Sequence, residues 1–377
     1  MFNKIYFIIG HIKLKTFGWH TNRKIVVLES DDWGSIRMPS KEVYNYLLNK
    51  GIRVDKCHFC KYDSLASEKD LSELFEVLIS FKDHCGNHPV ITANTVVVNP
   101  DFEKIKNANY SDYHYQLFTN TLKEYPQHEK SFQLWKEGIS LNIFCPQFHG
   151  REHLNITRWL KYLRNQSVET QTAFDHKLFG LSTTVTKEKR KSFLAAFEFE
   201  TEEEMKNHAM IISDGIRLFQ QIFGKNAISF VAPNYKWHSL VEETLYNCGV
   251  RSIQGLFLHQ DVSIDGYSCN QKFRFIGQKN VSNLYSLVRN AFFEPSELIE
   301  KDWVNSCIKD ISTAFYWKKP AIICSHRVNY IGYIDSYNRD KNLKLLKTLL
   351  SEIMKRWPDV EFISSEELTK LIMNGKR

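Results

Sequence analysis

Four short clusters carry side chains able to bind a metal ion or move a proton, and each directly follows an apolar run. Residues 25–30 lead into Asp31-Asp32-Trp33-Gly34, and residues 143–148 into His149-Gly150-Arg151-Glu152-His153. Residues 228–232 lead into Pro233-Asn234-Tyr235, and residues 321–325 into His326-Arg327. Two adjacent carboxylates can divide labour, one binding a cation while the other accepts a proton. His149 and His153 are four apart, so a helix starting at Gly150 would put both imidazoles on one face about 5–6 Å apart. Two His and one carboxylate form a catalytic zinc set with a position open for water. Each cluster also has a plain reading: a turn at Asp31-Asp32, packed histidines at 149 and 153, a satisfied core histidine at 326.

The elements that must position these groups alternate along the chain. Strand-like runs fall at 24–30, 89–98, 138–148, 195–199, 228–232, 250–254, 321–325 and 360–363. Helical periods lie between them: 41–50 after Ser40, 201–223 opened by a Thr201/Glu204 capping box and stopped by Gly224, 238–248, 296–316 from Ser296, and 338–356. Alternating strand and helix predicts a mostly parallel α/β sheet, open or closed into a barrel. In such folds functional groups gather at the carboxyl ends of strands, so the four clusters are expected on one rim. Stretches near 52–88, 101–137, 165–193 and 256–293 exceed a minimal strand–helix unit and read as insertions, either substrate walls or peripheral packing.

Composition narrows the function classes. The 377 residues are 43% hydrophobic, enough for a large core, and the net charge of +7 is spread along the chain, so nucleic acid is not an expected partner. Eight cysteines are too sparse for a disulfide scaffold. No run reaches the ~18–20 apolar residues of a membrane helix. The short apolar run Ile5-Tyr6-Phe7-Ile8-Ile9 is expected to pack on the domain, with peripheral membrane contact left open, and the expected location is the cytoplasm. Walker, G-x-G-x-x-G, G-x-S-x-G and H-E-x-x-H motifs are missing.

In order and spacing, the four clusters resemble the polysaccharide deacetylase family, the NodB-homology group of metal-dependent carbohydrate esterases. The family's Thr-Phe-Asp-Asp-Gly motif corresponds to Ser30-Asp31-Asp32-Trp33-Gly34, and its His-Ser/Thr-x-x-His motif to His149–His153 with Gly150 at the hydroxyl position. Its Arg-x-Pro-Tyr-like motif corresponds to residues 231–235, without the Arg, and its strand ending in His to residues 322–326. The resemblance implies a distorted (β/α)7-like barrel spanning 24–377 behind an N-terminal extension, 1–23. It implies hydrolytic removal of acetyl from an N-acetylated saccharide, with a divalent cation, zinc or alternatively cobalt, nickel or manganese.

Carried over by position, Asp31 is the general base, Asp32, His149 and His153 hold the cation, and His326 is the general acid. The Tyr235 backbone N–H is then an oxyanion donor. Trp33, Asn94, Asn234 and Arg327 are expected to face substrate, with a turn or capping role as the alternative for Asn94. Arg327 or Arg151 is the candidate to replace the missing motif Arg, and the residue orienting His326 is unassigned, with Asp261 and Asp265 at hand. Two rival readings stand beside this one: a glycosidase using paired carboxylates on a related barrel, and a carbohydrate-binding pseudoenzyme. Cys57-His58-Phe59-Cys60 has zinc-ligand spacing, with Cys85 and His88 further on, against the alternative of ordinary buried thiols.

Overall fold

The apolar run at 24–30 becomes the most enclosed strand of the molecule. In the computed structural model, which describes residues 16–263 and 269–375, β1 is Lys24–Trp33 and only its first residue reaches solvent. A strand this apolar needs cover on both faces, which a parallel sheet with outer helices supplies. The run at 5–9 and Asp265 lie outside the described residues.

The other strands of this sheet are β2 (Ile91–Thr95), β3 (Phe144–Phe148), β4 (Ser229–Phe230), β5 (Ser252–Gly255), β6 (Tyr285–Val288), β7 (Ala291–Phe292), β8 (Ala321–His326) and β9 (Val360–Phe362). Their order is β6-β5-β4-β3-β2-β1-β8-β7, with β9 beside the start of β1, and every pairing is parallel. β6 and β7 sit at opposite ends of that order, yet only Arg289 and Asn290 separate them in the chain. The Arg289 N–H donates to the Gly255 carbonyl on β5 at 2.9 Å, and the Asn290 N–H donates to Ile322 on β8 at 3.1 Å. One kinked stretch therefore draws the two edges of the sheet together, and the curled sheet is a distorted (β/α) barrel of seven staves flanked by β9.

Several expected elements are shifted or absent. Residues 138–140 end the helix Ser131–Ser140, where a Cβ on Gly138 would lie 2.7 Å from the Phe75 ring; the strand begins only at Phe144. Residues 195–199 alternate buried and half-buried as a strand would, but their backbone bonds are local turns, Ala196 to Leu194 and Glu198 to Ala195. Their alternation comes from lying across the neighbouring core, not from a ladder. The helix expected from Ser296 starts at Trp303, capped by Asp302, because Asn329 and Asn338 hold Ser296 in a buried turn. Helix Glu202–Phe223 is capped by Thr201 as expected, although the Glu204 carboxylate reaches back to the Glu200 N–H and not to Thr201. The end of the 256–293 stretch is no insertion: it is the closing stave.

Candidate active site

The strand register puts the chemistry on one rim. Asp31 on β1 is the ladder partner of His326 on β8, and the His149 N–H after β3 donates to the Thr95 carbonyl at the end of β2. Asp32 adopts φ 74°, a left-handed backbone that turns its carboxylate across the strand ends. Gly34 follows at φ 80°, where a Cβ would sit 2.3 Å from the Val96 carbonyl oxygen, so only glycine lets the chain pass.

His149 and His153 do not share a helix; the next helix starts at Ile156, and both lie in the loop after β3. They converge all the same, with ring centroids 5.0 Å apart. Asp32 Oδ1 lies 3.4 Å from His149 Nε2 and 3.1 Å from His153 Nε2. The three ligand atoms are within 4.8 Å of one another, and all three residues are buried. Asp32 Oδ1 and His149 Nε2 are buried without any hydrogen-bond partner, a costly arrangement unless something else satisfies them. His149 Nδ1 faces the Val231 carbonyl at 2.9 Å, which assigns the proton to Nδ1 and leaves the Nε2 lone pair free. Burial pulls the His153 pKa down to about 4 against the pull of Asp32, so its imidazole is neutral near pH 7. Burial works to raise the Asp32 carboxyl, but Arg37 and His153 outweigh it and hold it well below the usual range. An ionised carboxylate and two imidazole nitrogens converging within 4.8 Å, two of the three atoms buried without a partner, fit a divalent cation.

Beside this pocket lies a second, saturated group. Asp31 Oδ1 accepts from Asn94 Nδ2 and Arg289 Nη2, both at 2.7 Å, while Oδ2 accepts from Arg289 Nη1 at 2.7 Å. Burial would raise Asp31, but the Arg289 guanidinium overrides it and keeps the carboxyl far below its ordinary value. Arg289 also donates from Nε to Glu29 Oε2 at 2.6 Å. His326 Nδ1 pairs with Glu294 Oε1 at 2.6 Å, and its Nε2 faces Asp31 Oδ2 at 3.9 Å. Burial opposes its charge, yet Glu294 and the two aspartates push the His326 pKa up to about 10. Its side chain, 22% exposed, is the most open of these groups, and the Phe59 ring stands edge-on to it at 5.3 Å.

Several expected roles do not survive the geometry. The Tyr235 N–H donates to the Ala232 carbonyl at 2.9 Å and is not free for an oxyanion; its hydroxyl instead accepts from Arg289. Trp33 is turned into the core, edge-on to Phe144 and bonded through Nε1 to Ser30, so its ring offers no face to a sugar. Arg327 is fully buried against Asp63 and touches no open surface. Asn94 is also buried, and steadies Asp31 and Gln254. Asn234 is exposed at φ 56°.

The arginine that grips Asp31 is neither Arg327 nor Arg151, which pairs with Glu152 and Asp214; it is Arg289. The partner of His326 is Glu294, while Asp261 caps Ser239 and pairs with Lys272. A signal for Arg289 was present: a lone arginine between Leu287-Val288 and Ala291-Phe292-Phe293.

Among the described residues, the one other group with metal-ligand geometry is Glu294, Cys324 and His326. It does not fit a cation, because Arg289 Nη1 lies 3.3 Å from Cys324 Sγ and burial pushes that thiol up to about 12. Cys57 and Cys60 join no such group, since Cys85 is exposed beside His84 and His88 faces the Phe81 carbonyl.

No family model and no curated protein matches the sequence. Among solved structures, the chain resembles one from Mycobacterium smegmatis assigned to the polysaccharide deacetylases, with 9% identity, TM-score 0.45, and coverage of 96% of this chain and 94% of that one. A chain from Pseudomonas aeruginosa PAO1 with the same assignment gives 6% identity, TM-score 0.45, and coverage of 94% and 93%. Puue allantoinase gives 8% identity, TM-score 0.46, and coverage of 95% and 93%. These are likenesses of chain path, and the chemistry rests on this chain's own atoms. Among the described residues, no helix is long and apolar enough to cross a membrane.

Proposed function

We propose that this protein is a metal-dependent hydrolase that removes acetyl groups from an N-acetylated saccharide. The observation that carries the reading is the convergence of buried Asp32, His149 and His153, with Asp32 Oδ1 and His149 Nε2 unpartnered, beside an Asp31–His326 pair. A divalent cation held by those three residues would act as a Lewis acid on the amide carbonyl and lower the pKa of water that attacks it.

The rest is work for the chain itself. Both Asp31 oxygens accept from Arg289, and Oδ2, which also faces His326 Nε2 and the Tyr235 hydroxyl, is the one on the His326 side and would take the proton of the attacking water. Arg289 and Asn94 fix that carboxylate and keep it ionised. His326, held by Glu294 and charged at neutral pH, carries the proton that the leaving amine needs, on the Nε2 side facing Asp31. Zinc is the ion that a two-imidazole, one-carboxylate set with an open position suits best.

The test is acetate release from a panel of N-acetylated sugars and oligosaccharides with Zn²⁺, Co²⁺, Ni²⁺ or Mn²⁺ added. Acetate in step with bound cation supports the reading. New reducing ends without acetate make the protein a glycosidase, and saccharide binding without either makes it a carbohydrate-binding protein.

A further inference from the structure

A chain of alternating buried charges runs away from the cation pocket and takes no part in the proton transfers above. Asp32 turns Oδ1 toward the two histidines, and its other oxygen, Oδ2, accepts from Arg37 Nη2 at 2.9 Å. Arg37 Nε lies 3.6 Å from Asp63 Oδ2. Asp63 in turn accepts from Arg327 Nε and Nη2, both at 3.0 Å, and the remaining Arg327 Nη1 donates to the Ser35 carbonyl at 2.8 Å. Asp32, Asp63 and Arg327 are at most 1% exposed and Arg37 is 5% exposed. The Phe59 ring covers the Arg37 guanidinium, with 5.7 Å from Cζ to the ring centre.

We propose that Arg37, held in place by Asp63 and Arg327, is a positioning residue that restricts Asp32 to a single oxygen and so selects which cation the pocket takes. The inference rests on reading Asp32, His149 and His153 as a cation pocket. A carboxylate whose second oxygen is bound by a buried guanidinium cannot chelate through both oxygens. With one oxygen and two imidazoles, the pocket offers three protein donors, the number that four-coordinate zinc chemistry uses. Cations that favour more oxygen donors, Mn²⁺ and Ca²⁺ among them, lose the bidentate carboxylate that would suit them. The guanidinium also offsets the charge of Asp32, so affinity depends more on the two imidazole nitrogens, which favour zinc and cobalt over the harder ions.

The experiment compares dissociation constants for Zn²⁺, Co²⁺ and Mn²⁺ by competition with a chromophoric chelator, together with the visible spectrum of the Co²⁺ protein. Arg37→Gln frees Oδ2, and the preference for Zn²⁺ over Mn²⁺ is expected to shrink about tenfold or more, at the scale of changes to residues behind metal ligands. The Co²⁺ absorption should weaken as coordination rises above four. Asp63→Asn, which leaves Arg37 unsupported, should move both readouts the same way by less, and Arg37→Lys should largely restore the wild-type ratio. An unchanged affinity ratio and an unchanged Co²⁺ spectrum in both Arg37→Gln and Asp63→Asn would overturn the proposal while leaving the cation pocket standing. A wild-type protein that binds none of the three ions would overturn both.

Discussion

The two halves of the site are satisfied to opposite degrees. In the cation pocket, Asp32 Oδ1 and His149 Nε2 are buried with no partner. A few ångströms away both Asp31 oxygens are filled by Arg289, and His326 is locked to Glu294. The first half is an arrangement waiting for a guest; the second is complete on its own. Buried polar atoms without partners cost stability, so a protein keeps them where a ligand repays it. The saturated half needs nothing added, because its buried charges already satisfy one another.

The sharpest way to separate the halves is to empty one while keeping the other. His149→Ala should abolish stoichiometric cation binding, measured by elemental analysis after gel filtration, and turnover with it. Asp31→Asn should retain the cation and lose turnover by orders of magnitude. If both variants keep a full complement of metal, the division between the halves fails.

The next largest effect is on folding. Arg289→Met leaves Glu29 and Asp31 buried without their guanidinium, a loss of the kind that costs about 3–5 kcal/mol, seen as a lower denaturation midpoint. A midpoint equal to that of the wild type would mean that the Arg289 guanidinium does not stabilise the buried Glu29 and Asp31 carboxylates.

The partner of His326 can be read from pH dependence in the metal-free protein. His326 has a folded pKa of about 10 against roughly 6.5 when unfolded, so the native state holds a proton that the unfolded state gives up. Its contribution to stability is therefore complete below about 6.5 and is lost as the pH rises toward 10. Glu294→Gln removes the anion responsible, so the fall of Tm between pH 7 and pH 10 should flatten. An identical slope in the variant would remove Glu294 as the source of the shift.

The smallest effect serves as a control remote from both halves. Thr201 accepts from the Glu204 N–H at 3.2 Å at the start of an outer helix, and Thr201→Ala should cost about 1 kcal/mol while cation stoichiometry stays unchanged.

The same contrast explains how much of the molecule could be read in advance. The convergence of Asp32, His149 and His153 was legible because these residues sit at the ends of apolar runs that become β1 and β3, where parallel α/β folds gather side chains on one rim. The strands themselves were found wherever β-branched residues ran unbroken, as at 24–30 and 321–325. Residues 195–199 misled because burial alternates there without a ladder. The supports of the saturated half were harder to read: Arg289 stood out only as a lone arginine in an apolar run, and both it and Glu294 matter through closure of the barrel. Their positions follow from Gly255 and Ile322 meeting consecutive residues of one kinked stave, a contact between segments more than thirty residues apart on either side. Arg37 was hidden for a related reason: its partner Asp63 comes from the stretch at 52–88, and no local pattern links the two.

The most direct measurement is an anomalous difference map from crystals grown with Zn²⁺ or Co²⁺. It should show one peak bonded to Asp32 Oδ1, His149 Nε2 and His153 Nε2 at about 2.0–2.2 Å. A peak at Glu294, Cys324 and His326, or none near Asp32, would contradict the account.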